Sequence, residues 1–441
     1  MKTKIISQNP SMLVLRLLFL LLTVDLAHAE LRVEITQGSD SARPIAVIPF
    51  ARAGLSAPLP IDVAAIISAD LQRSGKFAPV EQNKLIAQPQ TIEAVNYKLW
   101  RMAGVDHIVI GQINMLSSQQ FELEFRLLDV FKGQQILGFK YRETDKTLRI
   151  AAHKISDLIY ERITGQKGAF NTQVAYVTVE RQVGTQPKYK LQVADTDGHN
   201  PQTVLTSTQP IMSPSWSFDG SRLAYVSFEH RRSEIFVQNM QTGQRDVVSK
   251  NAGINGAPVW SPDGRQLALT LTSGDNPDIY VLDLSTRKLQ QVTRHWAIDT
   301  EPSWMPDGRE IVFTSSRSGK PQLYRVNVNQ GDRAQRISFE GDYNANAKVA
   351  PDGKSLAFVQ GNGNVFKIAV MDLQTGFVQP VTEGVLDESP SFAPNGSMIL
   401  YATQADRRGV LAAVSTDGRF KQRLVLSEGD VREPTWGPYK R

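Results

Sequence analysis

From about residue 170 onward, short unbroken apolar runs alternate with compact turn signals at a regular interval. The runs include Val174-Ala-Tyr-Val177, Leu223-Ala-Tyr-Val226 and Ile311-Val-Phe-Thr314. They are too short for helices, and a run without polar alternation suits a strand covered on both faces. Turn motifs recur between them: Trp216-Ser-Phe-Asp219-Gly220, Trp260-Ser-Pro-Asp263-Gly264 and Trp304-Met-Pro-Asp307-Gly308. Weaker copies follow at Val349-Ala-Pro-Asp352-Gly353 and Phe392-Ala-Pro-Asn395-Gly396, and a last begins at Trp436-Gly-Pro438. Their first position advances by 44, 44, 45, 43 and 44 residues. That period accommodates one four-stranded antiparallel blade with its turns. Proline presets φ in each turn and glycine supplies the permissive conformation. The aromatic opening each copy is read as blade-to-blade packing.

The apolar second strand begins six times, near Val174, Leu223, Leu267, Ile311, Leu356 and Ile399. The first has no turn motif before it, and the motif at Trp436 has no strand after it. The pattern predicts six blades, one built from both ends of the domain. Residues 434–438 supply its innermost strand and residues 173–206 its outer three, which removes open sheet edges.

Residues 30–165 follow other periods. Pro44-Ile-Ala-Val-Ile-Pro49 and Val105-Asp-His-Ile-Val-Ile110 read as strands, and Phe121–Asp129 pairs through Lys132-Gly133 with Gln135–Tyr141 as a hairpin. Ile61–Ser74, Glu93–Met102 and Thr147–Thr164 read as helices, with Gly75, Gly104 and Gly165 as stops. The predicted fold is an α/β N-terminal domain with helices on one side of its sheet, followed by a six-bladed all-β propeller. The expected boundaries are 1–29 for a cleaved leader, 30–165, a linker at 166–170, and 171–441.

The leader reading rests on Lys2, Lys4 and Arg16 before the apolar run Leu17–Val24, and on Ala27-His28-Ala29 as a small-x-small cleavage site. Cleavage after Ala29 would leave an exported, soluble chain, since the run is shorter than the roughly 20 residues of a spanning helix. Hydrophobic residues at 41% support large cores. The formal charge of +5 is spread along the chain, which speaks against nucleic acid as a partner. There is no cysteine, so thiol catalysis and zinc–thiolate or iron–sulfur sites are excluded.

Particular segments carry a family resemblance: Arg43-Pro-Ile-Ala-Val-Ile-Pro-Phe50, Ser68-Ala-Asp-Leu-Gln-Arg-Ser-Gly-Lys-Phe77 and Gly104-Val-Asp-His-Ile-Val-Ile-Gly111. In the repeats they are Asp299-Thr-Glu-Pro302, Asp387-Glu-Ser-Pro390, Ala393-Pro-Asn-Gly396 and Ser415-Thr-Asp-Gly-Arg-Phe420. In these the chain resembles the TolB family, periplasmic components of the Tol–Pal envelope system of Gram-negative bacteria. The resemblance implies periplasmic location, no enzymatic activity, no cofactor, and a role in outer-membrane integrity and constriction during cell division. It also implies that the propeller binds the lipoprotein Pal and that the first mature strand engages the inner-membrane protein TolA. Here that strand would be Glu30, Leu31, Arg32, Val33, Glu34 and Ile35. Other Tol or outer-membrane proteins are further possible partners, and the chain is expected to be a monomer without direct membrane insertion.

Geometry narrows the Pal surface. The loop entering each blade leads into its innermost strand, so residues just before the repeat motif ring the channel mouth. They are Asn255, Ala257, Asp299, Thr300, Glu301, Asn344, Asn346, Asp387, Glu388, Arg432 and Glu433. The family's Pal-contacting region matches best at Ala257 and Thr300. The alternative is that Asp, Asn and Thr here cap turns and strand ends. Catalytic readings are weaker. No Gly-x-Ser-x-Gly elbow occurs, and none of the six histidines forms a close ligand pair, so no metal site is expected. Asp195-Thr-Asp197-Gly198 lacks the downstream glutamate of a calcium loop and reads as a turn. Carboxylates at 299, 301, 387 and 388 could imitate a glycosidase pair or attract a cation to the channel.

Overall fold

The computed structural model describes residues 31–440 apart from 40, 54–58, 60, 118, 182–183, 273, 275, 331–332 and 427–428. The leader at 1–29, its cleavage point and Glu30 lie outside the described residues. Among the described residues no helix is long and apolar enough to cross a membrane.

Strand β1 (Leu31–Gln37) belongs to the propeller. The N-terminal sheet is built from β2 (Arg43–Val47), β3 (Ala51–Ala53), β4 (Phe77–Pro79), β5 (His107–Ser117), β6 (Gln120–Asp129) and β7 (Gln134–Glu143). Its order is β4-β2-β5-β6-β7, with β3 also on β5. β2 runs parallel to β4 and β5, while β5, β6 and β7 form an antiparallel meander. Three helices accompany it: α1 (Val63–Arg73), α2 (Tyr97–Met102) and α3 (Leu148–Thr164).

The helices are not confined to one side of the sheet, contrary to the sequence expectation. Ile45, Val47, Val109 and Ile113 pack with α1 and α3, whereas Ala46, Ile48, Ile108 and Ile110 pack around Trp100 of α2. Both parities of β2 and β5 are apolar, so both faces need cover. Helix α2 also starts later than the Glu93 expected from sequence. Asn96 caps it, accepting from the Leu99 amide at 3.2 Å, and residues 93–94 form a turn.

The propeller holds six blades. The innermost strands of the first five are Ile211–Trp216, Asn255–Trp260, Asp299–Trp304, Tyr343–Val349 and Glu388–Phe392. The sixth takes Asp430–Trp436 as its innermost strand, paired antiparallel with β8 (Gln173–Glu180), followed by β9 (Lys188–Asp195) and β10 (Gln202–Ser207). The repeat tryptophans stitch blades together. Trp260 donates its indole N–H to the Ser215 carbonyl at 3.0 Å, and Trp304 does the same to Val259 at 3.2 Å. In the turns, Gly220, Gly264, Gly308, Gly353 and Gly396 all have φ between 69° and 73°, a left-handed region that costs glycine nothing.

β1 adds a fifth strand to the fifth blade. It runs antiparallel to Lys421–Leu426, with Val33 opposite Leu424 and Glu34 opposite Arg423. The N-terminal domain sits on the face formed by the first and third turns of the blades. Gln166 donates to the Asn395 carbonyl at 2.5 Å, and Asn395 returns a bond to the Lys167 carbonyl at 2.8 Å. Arg73 reaches Thr196 at 3.1 Å, and Arg149 pairs with Asp197. Among the described residues no domain covers the opposite face, where the loops enter each blade.

Candidate protein-binding face

In each blade the third-last residue before the aromatic (or Val) position turns left-handed. These residues are Ser213, Ala257, Glu301, Asn346, Ser389 and Glu433, with φ from 44° to 54°. Each coincides with a bulge where two inner-strand residues are skipped by the ladder. The sequence singled out Ala257, Glu301, Asn346 and Glu433 of this ring but missed Ser213 and Ser389. The signal lay in the fixed offset from the repeat motif rather than in residue type.

The ring carries charge. Glu301 accepts from Thr314 Oγ1 and from the Asn346 amide, both at 2.8 Å. Burial, reinforced by Glu388 and Glu301 and opposed by the Ser213 amide and Lys348, pushes the Glu433 carboxyl up to about 7. Burial lowers the Lys348 ammonium, against the pull of Glu301 and Glu433. Thr300 lies beside this ring, its hydroxyl 3.3 Å from that of Thr270.

Four other predicted rim residues are not presented to a partner. Asn255, Asp299, Asn344 and Asp387 are buried beneath the entering loops. Asn255 binds Ser249 at 2.7 Å and the Asn251 amide and carbonyl at 3.0 and 2.8 Å. Asp299 accepts from Arg317 at 2.7 Å. Asn344 donates to Gln322 and the Glu340 carbonyl, each at 2.8 Å, and Asp387 accepts from Thr403 at 2.5 Å. These bonds fasten the loops, with one oxygen each of Asp299, Asn344 and Asp387 left without a partner. Glu388 and Arg432 are exposed. With Asp299 and Asp387 so committed, the four carboxylates weighed as a glycosidase pair do not line the channel together.

The exposed part of the face is apolar, which the sequence reading missed. Trp296 is 77% exposed, Phe339 74% and Val385 67%, joined by Ile254, Ile298 and Leu386. Ile254, Ile298 and Leu386 each stand immediately before a buried anchor, Asn255, Asp299 or Asp387. The anchor pulls the chain down and leaves its neighbour outside. Large apolar residues gathered on one face mark an interaction surface.

A separate polar cluster lies between the domains. His153 Nδ1 is 2.7 Å from Asp70 and its Nε2 is 3.8 Å from Asp197. Ligand atoms of the three lie within 4.8 Å of one another. Arg73 holds Asp70 at 2.9 Å and Arg149 holds Asp197, so two guanidinium charges already balance the two carboxylates. Burial works to raise the Asp197 pKa, but Arg73, His153 and Arg149 hold it below the ordinary value. This is an ion-pair network joining α1 and α3 to the turn after β9.

The relatives accord with this architecture. Residues 31–136 match the family model described as the TolB amino-terminal domain, and residues 160–440 match the TolB beta propeller domain. The Tol-Pal system protein TolB of Xanthomonas oryzae pv. oryzae (strain MAFF 311018) is 55% identical over 412 residues, 93% of each chain. That of Xanthomonas campestris pv. campestris (strain B100) is 54% identical over the same share. The crystal structure of TolB from Acinetobacter baumannii superposes with a TM-score of 0.86 at 40% identity, covering 93% of this chain and all of that one. With both domains matched in order and more than half of the aligned residues identical, this chain belongs to the family of the Tol-Pal system protein TolB.

Proposed function

We propose that this chain is a non-enzymatic periplasmic hub that binds Pal on the propeller face opposite its N-terminal domain. It would engage TolA through the segment around β1, linking the inner and outer membranes and supporting envelope integrity during constriction. The observation that carries the Pal assignment is the exposed apolar set Ile254, Trp296, Ile298, Phe339, Val385 and Leu386 around a charged channel mouth. Such a patch supplies the apolar anchors of an interface, while Glu388 and Arg432 offer a polar rim. For TolA, the support is that β1 is an added edge strand held mainly by one ladder, with Glu34 and Ile35 exposed.

The test is calorimetric titration of residues 30–441 with the soluble domain of Pal from the same organism. Saturable one-to-one binding is expected, weakened at least about tenfold by Trp296→Ala combined with Val385→Ala. Both side chains are exposed, so the pair should leave the thermal melt unchanged. Undiminished affinity in that variant would remove Pal from this face.

A further inference from the structure

A polar cavity of about 420 Å³ opens in the N-terminal domain and is lined by Arg43, His107, Asp129, Lys132, Ile136, Arg162 and Ile163. The topology gathers these residues from distant parts of the chain. Arg43 and His107 open the parallel neighbours β2 and β5. Asp129 closes β6 directly opposite His107, Lys132 follows in the hairpin turn, and Arg162 lies in the last turn of α3. We propose that this cavity binds a small oxyanion, a carboxylate or a phosphate group.

Its charge balance favours an anion. Arg43, Lys132 and Arg162 face one carboxylate, Asp129, and that group is already engaged. Asp129 accepts from the Lys132 amide at 2.9 Å, with the Lys132 ammonium 3.4 Å away. Arg43 spends one N–H on the Ile163 carbonyl at 3.0 Å, which fixes the guanidinium at the cavity wall with further donors in hand. The second observation is His107. Its ring lines the cavity together with the charged groups and Ile136 and Ile163, and its Nδ1 is buried without a hydrogen-bond partner. A polar group bound nearby is one explanation of such an orphan. An oxyanion would accept charge-assisted hydrogen bonds from the Arg43 and Arg162 guanidiniums and the Lys132 ammonium, with the His107 ring in the wall beside it.

The same geometry gives binding a pH dependence. Burial holds the His107 pKa below its ordinary value of 6.5, Arg43 and Lys132 lower it further, and Asp129 and Asp106 oppose them. Arg162, from α3, adds to the cationic side. A bound anion reverses part of this balance, so binding takes up a proton on His107 and tightens as pH falls through its titration.

The experiment is histidine-selective NMR of residues 30–441, with the His107 resonance assigned by its loss in His107→Gln. Inorganic phosphate and acetate are titrated separately at constant ionic strength, with chloride as the control. The expected result is a saturable His107 shift accompanied by a higher His107 pKa. Saturation by phosphate alone assigns a dianionic phosphate ligand, and saturation by both assigns a general carboxylate or phosphate site. Affinity should fall by about tenfold in Lys132→Gln/Arg162→Gln, whose parent side chains are exposed; Asp129 loses only the surface pairing with the Lys132 ammonium and keeps the bond from the Lys132 amide. A His107 shift that tracks chloride without saturating, or saturation unaltered in the double variant, overturns the proposal.

Discussion

Replacing Glu433 by glutamine should stabilise the propeller at neutral and alkaline pH and leave it unchanged in acid. The Glu433 carboxyl is held at about 7, against an ordinary value of 4.5. Below pH 4.5 it is protonated in both folded and unfolded chains. As pH rises from there, the unfolded chain releases its proton while the folded chain retains it, and stability drains away until about pH 7. At about 1.4 kcal/mol per pH unit, the gap between about 7 and 4.5 sets a ceiling of about 3 kcal/mol. Two effects reduce it. Glu433 is partly accessible through the channel, and Glu433→Gln deprives the Lys348 ammonium of a partner. The expected gain is therefore about 1–2 kcal/mol at pH 8. Glutamine keeps an oxygen able to accept from the Ser213 amide, so the substitution removes charge without removing that bond. The assay is urea unfolding of residues 30–441 at pH 4, 6 and 8, followed by tryptophan fluorescence. Of the six tryptophans only Trp100 lies outside the propeller, so the signal reports chiefly on the relevant domain. A difference that does not change with pH, or a variant less stable than the parent at pH 8, would refute the reasoning.

Other consequences follow from the packing. Deleting residues 430–441 strips the sixth blade of its innermost strand, including buried Val431, and should cost more than about 4 kcal/mol; an unchanged thermal melt would disprove closure by this strand. Gly75→Ala places a methyl carbon 2.5 Å from Cγ of buried Phe420 at a φ of +68°, so a loss of about 2–4 kcal/mol is expected in the melting curve. Asp197→Asn leaves Arg149 and His153 facing a neutral group between the domains, and limited proteolysis of residues 165–170 should accelerate several-fold; parental cleavage rates would show that the network does not hold the domains.

The parts of the fold legible in sequence were those written in short-range chemistry and repeated. Pro-Asp-Gly with an aromatic at fixed offset exposes both the turns and the inter-blade contacts, because Trp260 and Trp304 perform the same task one repeat apart. The two-faced N-terminal sheet was harder. Ile45-Ala-Val-Ile48 reads as a buried strand, but its burial on both sides depends on a six-residue helix too short to show a clear period. The rim was misjudged in a specific way. Asn255, Asp299, Asn344 and Asp387 have the composition of a polar binding ring, yet the same residue types fasten loops, and only burial separates the two roles. Trp296 and Val385 escaped notice because single apolar residues between strands carry no signal until the fold gathers them on one face.

The ring of bulges shows why the channel is not lined by glycine. The turn residues Gly220 to Gly396 and the bulge residues Ser213 to Glu433 share the left-handed sign of φ, but all six bulges use residues with side chains. That choice costs about 1 kcal/mol or more per position relative to an unstrained backbone, so the side chains must return something. In two blades the return is visible. Glu301 accepts the amide of Asn346, the bulge residue of the next blade, and Glu433 accepts that of Ser213 in the first blade. A second-strand threonine does similar work: Thr270 accepts the Glu301 amide at 3.3 Å, and Thr314 shares the Asn346 amide with Glu301, at 3.0 Å. The bulge turns each of these amides toward the preceding blade, and the preceding blade supplies the acceptor. The strain of the left-handed residue is thus tied to closure of the ring. It also buries Glu433 in the channel near other carboxylates, which together raise its pKa, so the loss of stability expected there as pH rises is a by-product of how adjacent blades are joined.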